Sequence, residues 1–214
     1  MNFKFLYIFF YLLLFSCKKE ANKETTLPFF NSATFTPEWI LKENIGYKDI
    51  HIIPEFSLTN QNGQTIGNNF YKDKIYVADF FFVSCPGICP MLTKNMHILQ
   101  EKFKEDSEVL LLSHTVMPWR DSVPVLKEYA TENKINSKKW NLVTGDKDKI
   151  YDLARKAYFA DENYTKTQDE GAFVHTENFV LVDKKGRIRG VYNGTLALET
   201  KRLIRHIEIL KKEL

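Results

Sequence analysis

Cys85-Pro86-Gly87-Ile88-Cys89-Pro90 brings two thiols within four positions of each other. The pair follows a long apolar run, residues 75–83, which reads as a strand buried on both faces. It precedes residues 91–103, where Met91, Leu92, Asn95, Ile98, Leu99 and Lys102 follow helical spacing. A helix start presents free N–H groups and a partial positive charge, which favours thiolate over thiol. The thiolate is the form that binds soft metals and exchanges disulfides. The spacing is CxxxC, one residue longer than the CxxC of thioredoxin-type redox motifs, and that extra residue points toward a metal. His175, just ahead of the apolar run 179–182, is the third candidate donor. Two thiolates and an imidazole suit copper, which sulfur binds strongly as Cu(I) and imidazole accepts in either oxidation state. Zinc in a structural site would want a fourth protein ligand.

The elements that must position these donors alternate in type. Residues 55–59 alternate like a strand and run into the turn signal Asn60-Gln61-Asn62-Gly63. Residues 75–83, 109–113 and 140–143 read as further strands. Residues 122–133 open with Ser122 and carry Pro124 in the first turn, a helix start. Residues 146–157 form a helix capped by Asp146, and residues 197–212 a closing helix. Between them, 179–182 and 187–192 form a hairpin around Asp183-Lys184-Lys185-Gly186. Residues 27–50 read as an ordered extension without clear period. The order is that of an α/β thioredoxin-like fold: a mixed central sheet flanked by helices, with an added N-terminal β-hairpin. In such a fold the loop carrying His175 returns beside the cysteine-bearing helix.

The chain has 214 residues, 44% of them hydrophobic, including 17 Phe, so one domain with a real core plus appendages is expected. A net charge of +3 without a long basic run gives nucleic-acid binding no support. Three cysteines are too few for a disulfide scaffold, and Cys17 has a separate role. Lys4 and the apolar run 5–15 read as an export signal too short to span a bilayer comfortably. The run ends in Leu14-Phe15-Ser16-Cys17, which resembles the lipobox of bacterial lipoproteins. That resemblance implies cleavage after Ser16 and a lipid on Cys17; an uncleaved membrane anchor is the alternative. The expected partition is a signal peptide over 1–16, a tether and extension over 17–49, and the domain over 50–214. The chain is then a membrane-anchored lipoprotein of a bacterial cell envelope, facing the periplasm, where free thiols need a purpose.

Over residues 50–212 the chain resembles the SCO/SenC family of copper-binding thioredoxin-fold proteins. The matching residues are the apolar strand before Cys85, the CxxxCP pattern of Cys85, Cys89 and Pro90, and Arg120-Asp121-Ser122 followed by Pro124-Val125-Leu126-Lys127-Glu128-Tyr129. The last match is His175 ahead of Phe179-Val180-Leu181-Val182-Asp183 and Gly186. The resemblance implies that Cys85, Cys89 and His175 bind copper, and that Cys85 and Cys89 also form a reversible disulfide. It further implies service to the dinuclear copper centre of cytochrome c oxidase, with the copper-bearing subunit as partner, and a monomer. The chain departs from the family pattern at Met117, where an acidic residue is common.

Two other functions compete. A thiol–disulfide oxidoreductase would use the same thiols without His175, although 175–179 lacks the proline typical of such reductases beside the site. A peroxidase lacks the Thr or Ser and arginine that a lone reactive cysteine would need. Among the remaining candidates, His114 reads as a structural histidine that could face the site. Asp79 reads as a buried carboxylate needing a partner or a place at the sheet's rim. Met91 and Met96 are off a common helix face and read as packing residues, while His51, His97 and His206 show no ligand spacing.

Overall fold

A computed structural model describes residues 26–169, 172–174 and 176–213. Seven strands form one mixed sheet: β1 Ser57–Asn60, β2 Thr65–Gly67, β3 Ile75–Phe81, β4 Val109–Thr115, β5 Trp140–Thr144, β6 Asn178–Val182 and β7 Ile188–Asn193. Their spatial order is β2-β1-β5-β4-β3-β6-β7. β3, β4 and β5 run parallel, and every other pairing is antiparallel. Every residue of the three parallel strands is buried. Helices cover both faces of such strands, which is why their sequences are near-continuous apolar runs rather than alternating ones.

The helices are α1 Asn68–Tyr71, α2 Cys89–Lys102, α3 Val123–Glu132, α4 Lys147–Asp152, α5 Glu162–Thr167 and α6 Ala197–Glu213, with a 3-10 turn at Ile45–Asp49. α2, α3 and α6 bury Leu92, Met96, Leu126, Leu203 and Ile207 against the sheet face that carries Val77, Phe81, Leu111 and Leu181. The opposite face carries Tyr76, Ala78, Phe80 and Val143, packed by Tyr71, Ile150 and Tyr158. This is the thioredoxin-like α/β architecture, and β1–β2 is its added N-terminal hairpin. The Asn60 side chain holds the hairpin turn, its Oδ1 accepting from the N–H of Asn62 (3.0 Å) and Gln64 (2.9 Å). Among the described residues no helix is long and apolar enough to cross a membrane.

The expected helix over 146–157 is two pieces. Asp146 caps α4, accepting from the Lys149 N–H (3.0 Å). The coil then widens into a π turn at Leu153–Ala157, where Arg155 is buried and its Nε donates to Asp161 (3.0 Å). The extension before residue 50 packs onto the domain. Leu27 and Phe29 are buried, Phe29 pairs with Glu38, and the Arg189 guanidinium lies 4.3 Å from the Phe29 ring centroid.

Candidate metal centre

β3 ends at Phe81, and the chain then turns through residues 82–88 into α2, which begins at Cys89 itself. No side chain caps this helix, so its first N–H groups have no intrahelical partner. The Cys85 sulfur accepts the N–H of Cys89, the first residue of α2, together with the Gly87 and Ile88 N–H groups of the loop before it. The turn is pinned from outside by Asp121, which is buried and whose Oδ2 accepts the Val83 N–H (3.1 Å) and the Thr115 hydroxyl. Thr115 Oγ1 in turn accepts the Met117 N–H (3.1 Å). Asp121 thus ties the end of β4 to the thiol loop.

The two sulfurs are hydrogen-bonded to each other, and both cysteines are free. Their acidities diverge. Burial opposes ionisation of Cys85, but the Cys89 thiol and the three backbone N–H groups outweigh it, and its pKa falls below the ordinary thiol value. Cys89 is pushed up to about 12, by burial first, then by the hydrogen bond to Cys85 and the nearby charges of Cys85 and Asp79. The pair therefore ionises first at Cys85, with the Cys89 S–H donating to that thiolate. A cavity of about 370 Å³ opens beside them, lined in part by Val83, Thr93, Lys94 and Tyr129.

His175 and Cys17 lie outside the described residues. The described neighbours of His175 flank the thiol end of the sheet. The Phe173 ring meets Phe82 edge-on (centroids 5.5 Å apart), and the Glu177 carbonyl accepts from the Gly194 N–H (2.7 Å). The Gly194 carbonyl accepts from Asn95 of α2 (2.6 Å). Among the described residues no three His, Cys, Asp or Glu side chains gather as a metal site. The donors they supply are two sulfurs, one of them more acidic than an ordinary thiol, which suits a soft monovalent metal.

Asp79 shares the sheet face of α2, and its partner is Ser113, directly opposite in register, whose hydroxyl donates to it. Trp140 Nε1 donates to the same hydroxyl (2.7 Å). Burial pushes the Asp79 carboxyl up to about 7. His114 faces the other way, stacked on Phe80 (4.7 Å between centroids), with Nδ1 donating to the Asp79 carbonyl (3.2 Å). Burial pushes its pKa down to about 4. Met96 is core, whereas Met91 is half exposed. His51 and His97 bond the carbonyls of Ala157 and Asn133, and His206 bonds the Tyr192 hydroxyl.

These two buried groups titrate with opposite effects on stability. Asp79 has a folded pKa above its unfolded value of about 3.9, so its contribution is full below about pH 4 and is lost as pH rises through about 7. His114 contributes above about pH 6.5 and loses its contribution as pH falls through about 4. Asp79→Asn removes only the first effect. It is expected to stabilise the protein, with a gain that grows between pH 4 and pH 7 to as much as about 4 kcal/mol. Urea midpoints of both proteins at pH 5 and pH 8 check this; a pH-independent difference contradicts it.

The SCO1/SenC family model matches residues 46–211. A SCO1 protein homolog of Bacillus subtilis is 30% identical over 156 residues, 72% of this chain and 78% of that protein. The solved structure of a SCO1/SenC family lipoprotein from Bacillus anthracis superposes with a TM-score of 0.66 at 28% identity, covering 80% of this chain and 99% of that one. BsSco, described as a member of the Sco family of cytochrome c oxidase assembly proteins with a disulfide switch, superposes at 0.65 and 27% identity, covering 76% and 95%. The fold is that of thioredoxin-like proteins with a paired-thiol loop ahead of a helix. The chain belongs to the SCO1/SenC family.

Proposed function

We propose that this chain is a copper chaperone that holds one copper ion through Cys85, Cys89 and His175. It delivers that ion to the dinuclear copper centre of cytochrome c oxidase, with the copper-bearing subunit as partner. The observation that carries the reading is the free thiol pair at the start of α2, with the Cys85 pKa below the ordinary thiol value and Cys89 bonded to it. A thiolate held by backbone N–H groups and backed by a second sulfur is a ready soft-metal clamp. Family membership and the relative named for cytochrome c oxidase assembly support the partner. A lipid on Cys17, after removal of residues 1–16, anchors a monomer to the bacterial envelope with the domain on the periplasmic side. The Bacillus anthracis lipoprotein supports that form.

His175→Ala tests the ligand set. It leaves both sulfurs, which can hold Cu(I) in linear geometry, but removes the nitrogen that Cu(II) prefers. The variant is expected to keep much of its Cu(I) affinity, lose most stable Cu(II) binding and still form the Cys85–Cys89 disulfide. Equal Cu(II) affinity in variant and wild type removes His175 from the site.

That result would favour a second reading, thiol–disulfide exchange, which the split acidity of the two thiols supports. In it the Cys85 thiolate attacks a target disulfide and releases one target thiolate. Cys89, on losing its proton, then attacks the Cys85 sulfur. The products are the second target thiol and a Cys85–Cys89 disulfide, with two electrons passed to the target.

A further inference from the structure

The end of the sheet opposite the thiols carries an unusual surface. Trp39, Leu41 and Ile45 are 61%, 72% and 89% exposed. Trp39 and Leu41 share a cavity of about 390 Å³ with Thr26, Lys42, Lys185 and Lys212. Ile45 opens the 3-10 turn whose Tyr47 hydroxyl accepts from Arg187 (2.6 Å) and lies in the field of Lys42 and Lys185. Among the described residues, Lys42, Lys48, Lys185 and Lys212 have no ion-pair partner. Residues 26–50 carry Lys42 and Lys48 against Glu38, Glu43 and Asp49, and Lys185 and Lys212 bring the surface to four lysines against those three acidic residues.

The chain's own connectivity puts the proposed anchor at this end. Leu27 is buried there, its N–H donating to Glu213 and its carbonyl accepting from Arg189 (2.6 Å). Nine residues, 18–26, separate Leu27 from Cys17. A chain of that length spans at most about 35 Å. Exposed aromatic and aliphatic side chains beside lysines are the composition that settles into a bilayer interface, where rings sit at headgroup depth and each lysine is attracted to anionic lipid.

We propose that Trp39, Leu41 and Ile45, ringed by Lys42, Lys48, Lys185 and Lys212, dock this end of the domain onto an anionic lipid surface. The proposal extends the lipoprotein reading of Cys17 from a tether to a fixed orientation. β6 runs antiparallel to β3, with Tyr76 opposite Val182, so the turn at 183–187 lies beside the start of β3 and the thiols beyond its end. Seven residues of β3 span about 20 Å. Docking therefore holds Cys85 and Cys89 on the side facing away from the membrane, toward a partner domain that projects from it.

Two native tryptophans at opposite ends report the orientation, because Trp119 follows β4 at the thiol end and is exposed, whereas Trp140 is buried. The full chain is reconstituted in vesicles of phosphatidylglycerol with brominated acyl chains. Trp39 emission, read in a Trp119→Phe background, should be largely quenched, and Trp119 emission, read in a Trp39→Phe background, should be preserved. Brominated phosphatidylcholine, or the combined Lys42→Glu, Lys185→Glu and Lys212→Glu substitutions, should abolish most of the Trp39 quenching. Unquenched Trp39, or equal quenching of both tryptophans, overturns the proposal. Mass spectrometry of the N-terminus reports separately on the lipid. Quenched Trp39 without lipid on Cys17 supports the docking face while refuting the anchor.

Discussion

Cys85→Ser and Cys89→Ser are each expected to weaken Cu(I) binding by more than about a hundredfold. Loss of a residue that merely orients a ligand typically costs about 10–100-fold in metal sites, and each substitution removes a proposed ligand outright and leaves a single sulfur. The two variants should differ in reactivity. The N–H groups of Gly87, Ile88 and Cys89 and the Cys89 thiol lower the Cys85 pKa, so iodoacetamide near pH 7 should modify Cys85 in the wild type and in Cys89→Ser. Cys89 is buried with its pKa pushed up to about 12, so it should stay unmodified while Cys85 is intact. Competition titration with a Cu(I) chelator and mass mapping of the alkylated peptides check both parts. Preferential labelling of Cys89, or a single-cysteine variant with wild-type copper affinity, contradicts them.

Asp183→Ala should produce the largest loss of stability. Asp183 is 1% exposed at the turn between β6 and β7. Its carboxylate accepts from Arg187 Nε (2.7 Å) and Nη2 (2.6 Å), from Arg189 Nη1 (3.4 Å) and from the N–H groups of Lys185 (2.9 Å) and Arg187 (3.0 Å). Removing it leaves the buried Arg187 guanidinium without a counter-charge and takes one of two carboxylates from Arg189. Arg187 keeps the Tyr47 hydroxyl (2.6 Å), and Arg189 keeps Glu213 (2.6 Å) and the Pro28 carbonyl (3.0 Å). Breaking a buried pair from one side costs about 3–5 kcal/mol, a large share of a typical domain stability of about 5–15 kcal/mol. For a chain of this size that is a fall of roughly 10 °C in Tm. Copper affinity should be unchanged, because the turn lies at the far end of the sheet from the thiols. Thermal unfolding of the reduced protein checks the first part; a shift of only a degree or two contradicts it.

Local chemistry made much of this legible. The apolar runs at 75–83 and 109–113 became β3 and β4 because strands buried on both faces leave an unmistakable trace. Helical spacing after Cys89 locates α2 to within two residues of its start, and Asp146 caps α4 as its residue type and position imply. Long-range contacts left no such trace. The role of Asp121 depends on reaching 38 residues back to the Val83 N–H, which no periodicity encodes. Asp79 announced itself as a carboxylate in need of a partner, but Ser113 becomes that partner only through the β3–β4 register. The same register sets His114 opposite Phe80, on the face away from α2. The extension before residue 50 is aperiodic because isolated anchors such as Leu27 and Phe29 hold it, not a repeating face.

Titration of the fully reduced chain with copper, followed by absorption and by metal analysis, is the most direct test of the central claim. The account predicts one copper per chain. Cu(II) should produce an intense sulfur-to-copper charge-transfer band that is absent after the Cys85–Cys89 disulfide forms, since thiolate is the donor. Tight one-to-one zinc binding with negligible copper affinity, or a copper band that survives oxidation of both thiols, would contradict it.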